Sequence, residues 1–415
     1  MAKLIELSCP KCRALATTKA MFRCSVCRCV LEVRISIDHL SAAEFAAMRS
    51  SRDSSIWRWF DFLPVEDRAS IVSLGEGSTP LLPARRLGAR IGIANLYLKN
   101  DTVLPTGSLK DRSNSVGMSV GKELGFATAS VISTGNAAAS VAAYAAAAGM
   151  QSIVMVPKGT AASKIIQAHA YGATVIVVDG RFDYEVAELY KKAVAEFGWY
   201  DCLSSNPYRV GKKSYAYELV DQLDGALPDW VIHPTAGGTG IFCMWQGFKE
   251  FQTLGWIERL PKLVAAQSEA AAPFVAAMAH GSVEIAPVDA RETVAESIQV
   301  GNPSALGNRA LAALRDSRGT AVGLSDGEIL EAQALTGRLA GIFAEPAAAT
   351  SVAAAKKMRG NGTIGRDEVV VCHLTGHGLK QPEAIQYTAQ EFAPIVPTLP
   401  ALREQLKRRG SAARP

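Results

Sequence analysis

The chain has 415 residues, of which 48% are hydrophobic and 20% charged, and its formal net charge is +5. This length is sufficient for two or three domains with a large buried core, and the composition is ordinary for a globular enzyme. Lys3 and Glu6 interrupt the first residues, and no apolar run reaches membrane-spanning length. We therefore expect no signal peptide, no membrane partner and a cytoplasmic location.

Four cysteines near the N-terminus have the spacing of a zinc ribbon. The motif C-P-K-C is followed, after eleven residues, by C-S-V-C. Two such knuckles can supply four thiolates to a tetrahedral metal, and in a cytosolic chain this spacing favours metal over disulfides. The pattern predicts a zinc-ribbon-like segment over residues 1–37 with a structural zinc; Cys29 could compete with Cys27. The alternative is a ribbon whose thiols no longer hold metal. The predicted ligands are Cys9, Cys12, Cys24 and Cys27.

The stretch Leu104–Arg112 reads L-P-T-G-S-L-K-D-R and places Lys110 in a Gly-containing turn at the start of an apolar-periodic helix. The positive end of the helix dipole disfavours the charged form of a lysine at this position. An amine that is partly neutral is a nucleophile and can form a Schiff base with an aldehyde. The alternative is an ordinary solvated lysine followed by an Asp–Arg pair, because short motifs also match by chance.

Beyond this turn, apolar runs rich in β-forming residues alternate with helical patterns, which predicts an α/β fold with a twisted, mostly parallel sheet covered by helices. Residues 126–203 hold three strand–helix units and could form a small lobe inserted into a large lobe made of residues 38–125 and 204–395. The basic tail, residues 396–415, is expected to be a solvated, frayed end and not a nucleic-acid arm. The predicted strands are 96–99, 129–133, 152–156, 174–178, 230–233 and 369–373.

Two loops that follow predicted strands are candidates for anion sites. S-T-G-N at 133–136 lies between a strand and a helix, where backbone N–H groups bind a carboxylate well; a plain helix N-cap is the alternative. A-G-G-T-G at 236–240 precedes a helix at 241–251, and glycines let the backbone close on a phosphate. This loop is not a dinucleotide fingerprint, because G-x-G-x-x-G with its downstream acid is absent.

These motifs together resemble the threonine synthases over nearly the whole chain. The lysine motif is similar to the family's N-P-T-G-S-F-K-D-R. The Cys-rich start ending in L-E-V, L-G-E-G-S-T-P-L at 74–81, N-P-Y-R at 206–209 and L-T-G-H-G-L-K at 374–380 occur in the family's order. The resemblance implies a pyridoxal-phosphate (PLP) enzyme of the tryptophan-synthase-β-like fold, with two lobes of mostly parallel twisted sheets flanked by helices. It also implies a phosphorylated amino acid as substrate. We further expect a homodimer and no nucleic-acid partner.

The resemblance further implies roles for individual residues. Lys110 would hold the cofactor and act as the base, and Asn136 would hydrogen-bond the phenolic oxygen of the cofactor. Thr375 would offer a hydroxyl to the pyridine nitrogen, and such a neutral partner suits elimination and replacement over transamination. The loop expected to bind the cofactor phosphate comprises Ala236, Gly237, Gly238, Thr239 and Gly240. The residues expected to bind the substrate are Ser133, Thr134, Gly135, Ser204, Asn206 and Arg209.

Two departures from the family pattern leave the substrate open. Ala137 stands where many threonine synthases have a threonine, and Gly237 stands where they have an asparagine; Lys212 or Lys213 could compensate. One alternative is therefore a related PLP enzyme of the cysteate-synthase or serine/threonine-dehydratase type. Another is a zinc-ribbon regulatory or nucleic-acid-binding protein on an inactive fold. The presence of Lys110 and the scarcity of aromatic residues in the ribbon disfavour that second alternative.

Overall fold

The structure is a computed structural model that describes residues 3–180, 185–203, 206–385 and 394–412. The chain folds into two compact units that divide after Gln381. The second unit contains a helix, α13 (Leu399–Ala412), where the sequence analysis expected a frayed tail. Among the described residues, no helix combines the length and the apolar character needed to cross a membrane.

The strands of the first unit form three separate sheets. The strands are β1 (Ile5–Ser8), β2 (Glu32–Ile35), β3 (Leu81–Pro83), β4 (Asn95–Asn100), β5 (Thr128–Ile132), β6 (Gln151–Pro157), β7 (Thr174–Val178), β8 (Tyr200–Asp201), β9 (Trp230–Pro234), β10 (Lys262–Ser268), β11 (Thr320–Leu324) and β12 (Val369–Leu374). The helices of this unit are α1 (Ala42–Ser50), α2 (Arg85–Ile91), α3 (Lys110–Glu123), α4 (Asn136–Ala148), α5 (Ala162–Ala170), α6 (Ala187–Phe197), α7 (Ser214–Gln222), α8 (Thr239–Thr253), α9 (Pro273–Ala279), α10 (Ser304–Asp316), α11 (Asp326–Ala340) and α12 (Pro346–Gly360).

The largest sheet has six strands in the order β11-β10-β9-β12-β4-β3. All of its pairs are parallel except β3 with β4. The two central strands, β9 and β12, read W-V-I-H-P and V-V-V-C-H-L, which are the near-continuous apolar runs of strands buried on both faces. Helix α12, which is rich in alanine, packs on one side of this sheet. The carboxyl ends of β9, β12 and β4 consequently lie side by side.

A second sheet has four parallel strands in the order β7-β6-β5-β8. It is built from residues between 128 and 201, which is the stretch expected to form a small lobe. Helix α4 buries its alanines against β5 and β6. Its small side chains let the helix approach the sheet closely. The division into two lobes stays a prediction, although the sheet that it requires is present.

The N-terminal segment and the connector that follows it, residues 38–74, belong to the first unit and pack on the rest of that unit through aromatic residues. Strands β1 and β2 pair antiparallel and enclose the cysteine knuckles. The connector contains α1, which begins with a capping box of Ser41 and Glu44, and a 3-10 helix over Ile56–Phe62. Trp59 and Phe62 are fully buried there. The aromatic residues of the connector therefore pack against the rest of the first unit.

Candidate active site

An open cleft lies at the carboxyl ends of β9 and β12, with about 500 Å³ of empty space. Ligands of open parallel sheets bind outside the carboxyl ends of the strands, so the position of the cleft is that of an active site. The cleft brings together groups that are far apart in the sequence. Its polar and glycine lining consists of Lys110, Asn136, Lys212, His233, Thr235, Gly237, Gly238, Thr239, Gly240, Ser297, Glu345 and Thr375.

Lys110 is the first residue of α3, as the motif indicated. The turn before it is pinned to the loop after β12, because Leu109 N donates to Thr375 O at 2.9 Å and His377 N donates to Gly107 O at 2.9 Å. Burial lowers the pKa of Lys110 to about 8, and the positive charge of Arg209 contributes in the same direction. The amine is therefore closer to its neutral, nucleophilic form than an exposed lysine is.

The two residues after Lys110 do not pair with each other. Asp111 accepts hydrogen bonds from Thr106 N at 2.7 Å and from Ser140 Oγ at 2.7 Å, which ties the lysine turn to α4. Arg112 is fully buried and binds both oxygens of Asp101 at 2.9 Å. The sequence alternative of a simple Asp–Arg pair is therefore wrong. Each residue anchors the turn to a different part of the core.

The buried network around Arg112 also contains Glu218 and Lys99. Arg112 Nη2 donates to Glu218 Oε2 at 2.9 Å, and Lys99 Nζ donates to the same carboxylate at 2.5 Å. Two cations thus face the two acids Asp101 and Glu218, which makes the network electrically balanced. This buried network holds the start of α3 in place, and none of its four residues lines the cleft.

The glycine loop 236–240 leads into α8 as expected, and its glycines are required by packing. Gly238 has φ +86°, and a Cβ there would lie 2.6 Å from Ala310 Cβ. A Cβ at Gly240 would lie 2.0 Å from His233 Nε2. Helix α8 begins at Thr239 with no side-chain cap. Its first N–H groups therefore remain available to an anion in the cleft.

Asn136 faces a carboxylate that the sequence analysis missed. Its Nδ2 donates to Glu345 Oε1 at 3.1 Å and to Oε2 at 3.0 Å, and Ser297 Oγ lies 3.4 Å away. Glu345 is 1% exposed, and burial raises its pKa. A Cβ at Gly376 would lie 2.3 Å from Glu345 Oε1, so the carboxylate is packed tightly against that loop. The available signal was a glutamate directly before a proline at a helix start, within an alanine-rich stretch.

The residues of the 204–209 segment that were expected to bind the substrate differ in their surroundings. Arg209 is half-buried near Lys110, and its Nε has no hydrogen-bond partner among the described residues. Asn206 is buried outside the cleft lining, where its Nδ2 donates to Asp201 O at 2.9 Å and its Oδ1 accepts from Tyr208 N at 2.9 Å. Ser204 lies outside the described residues.

The S-T-G-N loop lies where the sequence placed it, between β5 and α4. Gly135 N donates to Ser133 Oγ at 3.3 Å, and Thr134 is half-buried. Helix α4 has no side-chain cap, so its first N–H groups are open to an acceptor. Of the four loop residues, Asn136 lines the cleft.

In the loop after β12, Thr375 lines the cleft, whereas the side chain of His377 binds a backbone N–H group. Nδ1 of His377 accepts a hydrogen bond from Leu379 N at 3.0 Å and so caps the 3-10 turn Gly378–Lys380. His377 therefore has a structural role in this loop.

The four N-terminal cysteines form one cluster, in which all sulfurs lie within 4.8 Å of one another. Individual S···S distances are 3.3 Å for Cys9–Cys27, 3.5 Å for Cys12–Cys24 and 3.7 Å for Cys12–Cys27. A tetrahedral zinc with Zn–S bonds of about 2.3 Å requires S···S distances of about 3.8 Å. The cluster therefore fits a zinc ion, and it lies outside the cleft.

Comparison with known proteins agrees with this site. A family model described as "Pyridoxal-phosphate dependent enzyme" matches residues 72–376. Threonine synthase of Methanocaldococcus jannaschii is 41% identical over 385 residues, which are 92% of this chain and 95% of the relative. Threonine synthase of Methanosarcina acetivorans is 38% identical over 97% of this chain and 99% of the relative. Among solved structures, maize serine racemase aligns with a TM-score of 0.63 and 20% identity, over 80% of this chain and 94% of that one.

The family match and the fold define the class of protein, a PLP-dependent enzyme of the tryptophan-synthase-β-like fold. The chain belongs to this family, and its curated relatives place it among the threonine synthases. The fold class and the family that the motifs implied are thereby confirmed.

Proposed function

We propose that this protein is a threonine synthase, a PLP-dependent lyase that converts O-phospho-L-homoserine and water to L-threonine and phosphate. The observation that carries the proposal is Lys110, a lysine whose pKa is lowered to about 8 by burial and by the charge of Arg209. It lies in a cleft that also contains the uncapped start of a helix and a second lysine, Lys212. The full-length similarity to threonine synthases supports it.

The residues of the cleft fit PLP. Lys110 offers the amine for the covalent link, and residues 236–240 with the start of α8 offer N–H groups for the cofactor phosphate. Thr375 offers a neutral hydroxyl to the ring nitrogen. When bound, PLP would supply an electron sink for carbanionic character at the substrate Cα and Cβ.

The other residues of the cleft would bind the substrate and move protons. The N–H groups at the start of α4 would hold the substrate carboxylate. Lys110, once released by the substrate amine, would act as the base at Cα and Cβ. Arg209 would bind the phosphate, because its planar guanidinium suits that group. Asn206 would position Arg209 through the hydrogen bonds of its loop.

We also propose that the cysteine cluster holds one structural zinc. All four ligand positions are filled by protein, so the metal would have no open site for catalysis. The homodimer, the cytoplasmic location and the division into two lobes stay predictions.

A phosphate-release assay tests the function. The holoenzyme should release phosphate from O-phosphohomoserine faster than from O-phosphoserine, and it should form threonine. Arg209→Ala should lower this rate about 10- to 150-fold, the effect of losing a hydrogen bond to a charged group, and should change the turnover of unphosphorylated serine or threonine much less. Arg259→Ala, an exposed arginine outside the cleft, is the matched control.

The alternative is a related PLP enzyme that eliminates or replaces at Cβ, favoured by the missing side chains at Ala137 and Gly237. It would replace the proposed function if unphosphorylated serine or threonine were the better substrate of the unaltered protein, or if Arg209→Ala lowered both activities equally.

A further inference from the structure

Two neighbouring lysines of one 3-10 turn, Gly211–Lys213, are both buried but differ in their partners. Lys213 Nζ donates to Glu250 Oε1 at 2.5 Å and is thereby neutralised. Lys212 is 5% exposed, lines the cleft, and has no acceptor within hydrogen-bonding distance among the described residues. Of the two lysines that the sequence offered as compensating groups, Lys212 is therefore the one that can meet a ligand.

The charge around Lys212 is positive. Burial lowers its pKa well below the usual range, and the cations Lys110 and Arg209 add to this effect. The uncapped N-terminus of α8 lines the same cleft and contributes a further positive field. Among the described residues, Glu345 is the one carboxylate that lines the cleft, and it accepts hydrogen bonds from Asn136. A buried ammonium with no partner is costly, and an anion in the cleft would offset that cost.

We propose that Lys212 is the cation of a phosphate-monoester subsite that it forms with the start of α8. The inference rests on the proposed function and names a phosphate-binding residue of its active site. Two phosphate monoesters enter this cleft, the 5′-phosphate of the cofactor and the phosphate of the substrate. Their shared chemistry is a dianion that accepts hydrogen bonds from an ammonium and from backbone N–H groups.

The direction in which Lys212→Met shifts the melting temperature distinguishes a phosphate-binding lysine from one that only packs in the turn. In the cofactor-free protein, Lys212→Met removes a buried amine that has no hydrogen-bond partner among the described residues, but keeps the length of the side chain. We therefore expect a higher melting temperature than that of the unaltered protein when no phosphate is present. A lysine that served only the packing of the turn would give an unchanged or lower value on the same substitution.

The experiment is a titration of the full-length, cofactor-free protein with inorganic phosphate, followed by the shift in melting temperature. Lys212→Met should bind phosphate about tenfold or more weakly than the unaltered protein. Lys212→Arg, which keeps the charge, should retain most of the affinity. Lys249→Met, an exposed lysine on α8, makes the same change in net charge and should behave as the unaltered protein. Unchanged phosphate affinity in Lys212→Met would overturn the inference.

Two further arms identify which phosphate is bound. If it is that of the cofactor, Lys212→Met weakens binding of pyridoxal phosphate and leaves binding of pyridoxal unchanged. If it is that of the substrate, the variant holds the cofactor normally, but its cofactor absorbance responds to inorganic phosphate only at about tenfold higher concentration. A protein that shows either result without releasing phosphate from O-phosphohomoserine would contradict the proposed function and leave this inference standing.

Discussion

Lys110 is the residue on which the proposed chemistry depends, and its charged neighbours act on it in opposite directions. Burial and Arg209 lower the pKa of its amine, whereas the Glu345 carboxylate raises it. Glu345→Gln removes the negative charge but keeps the shape and the contact with Asn136. We therefore expect the pKa of Lys110 to fall below the value of about 8 that it has beside the carboxylate.

This shift can be measured as the pH dependence of acetylation of Lys110 in the cofactor-free protein, followed on the Lys110 peptide by mass spectrometry. The midpoint should move to lower pH in Glu345→Gln. Glu296→Gln, which changes an acid outside the cleft lining, is the control and should leave the midpoint in place. A midpoint that stays or moves upward in Glu345→Gln would show that the carboxylate does not act on the amine.

Among single residues, the sequence predicted those that belong to short motifs. It missed those whose contacts join parts of the chain that are remote in sequence. Lys110, Asn136 and the 236–240 loop could be found because each is part of a local pattern at a helix start. Glu345 could not be assigned, because its contact with Asn136 joins the start of α12 to the start of α4, which follows a strand of the other sheet. Lys213 pairs with Glu250, whereas Lys212 lines the cleft. Because Glu250 is remote in sequence, the motif alone could not show which of the two lysines can meet a ligand.

Among the elements, the start of α3 depends on the buried network below it. Arg112→Met would leave Asp101 and Glu218 facing Lys99 alone. Breaking a buried ion pair on one side costs about 3–5 kcal/mol, because it leaves an uncompensated charge. We therefore expect the free energy of unfolding to fall by about this amount, as measured by urea denaturation. The control Arg259→Met removes a partner of Asp229 at the surface and should cost less than about 1 kcal/mol. Equal losses in the two variants would contradict the account of the network.

Secondary-structure elements were predicted correctly where apolar runs were long. They were missed where tertiary packing determines the local structure. Strand β12 was expected at 369–373 and spans Val369–Leu374, because a short, continuous apolar run that is rich in valine is typical of a buried strand. Helix α3 begins at Lys110, as the motif indicated, and tertiary hydrogen bonds to the loop after β12 hold the turn before it. The 3-10 helix at Ile56–Phe62 has no helical apolar period; its aromatic residues fold against Tyr217 and Phe251.

For the whole molecule, the ribbon is attached to the enzyme body at defined points. Tyr208 OH donates to Lys19 O at 2.7 Å, and Arg309 Nη2 donates to Val30 O at 2.5 Å. Metal analysis should find about one zinc per chain. The double substitution Cys9→Ser with Cys12→Ser should abolish this zinc and lower the melting temperature, while the holoenzyme keeps its chemistry because the cluster lies outside the cleft.

The substitution Cys202→Ser, at a buried cysteine outside the cluster, is the control for thiol loss and should leave the zinc content unchanged. A metal-free protein whose melting temperature does not respond to chelator would show that the ribbon is a relic.

The most direct test of the central claim is the fate of oxygen during turnover of O-phosphohomoserine in water enriched in ¹⁸O. The proposed reaction breaks the Cγ–O bond and adds water at Cβ, so the new hydroxyl oxygen comes from the solvent and the departing phosphate keeps all of its own oxygens. Mass spectrometry should therefore find one ¹⁸O in threonine and none in the phosphate at early times. Phosphate that carries ¹⁸O together with homoserine would mean cleavage of the P–O bond, a phosphatase reaction, and would contradict the proposed function.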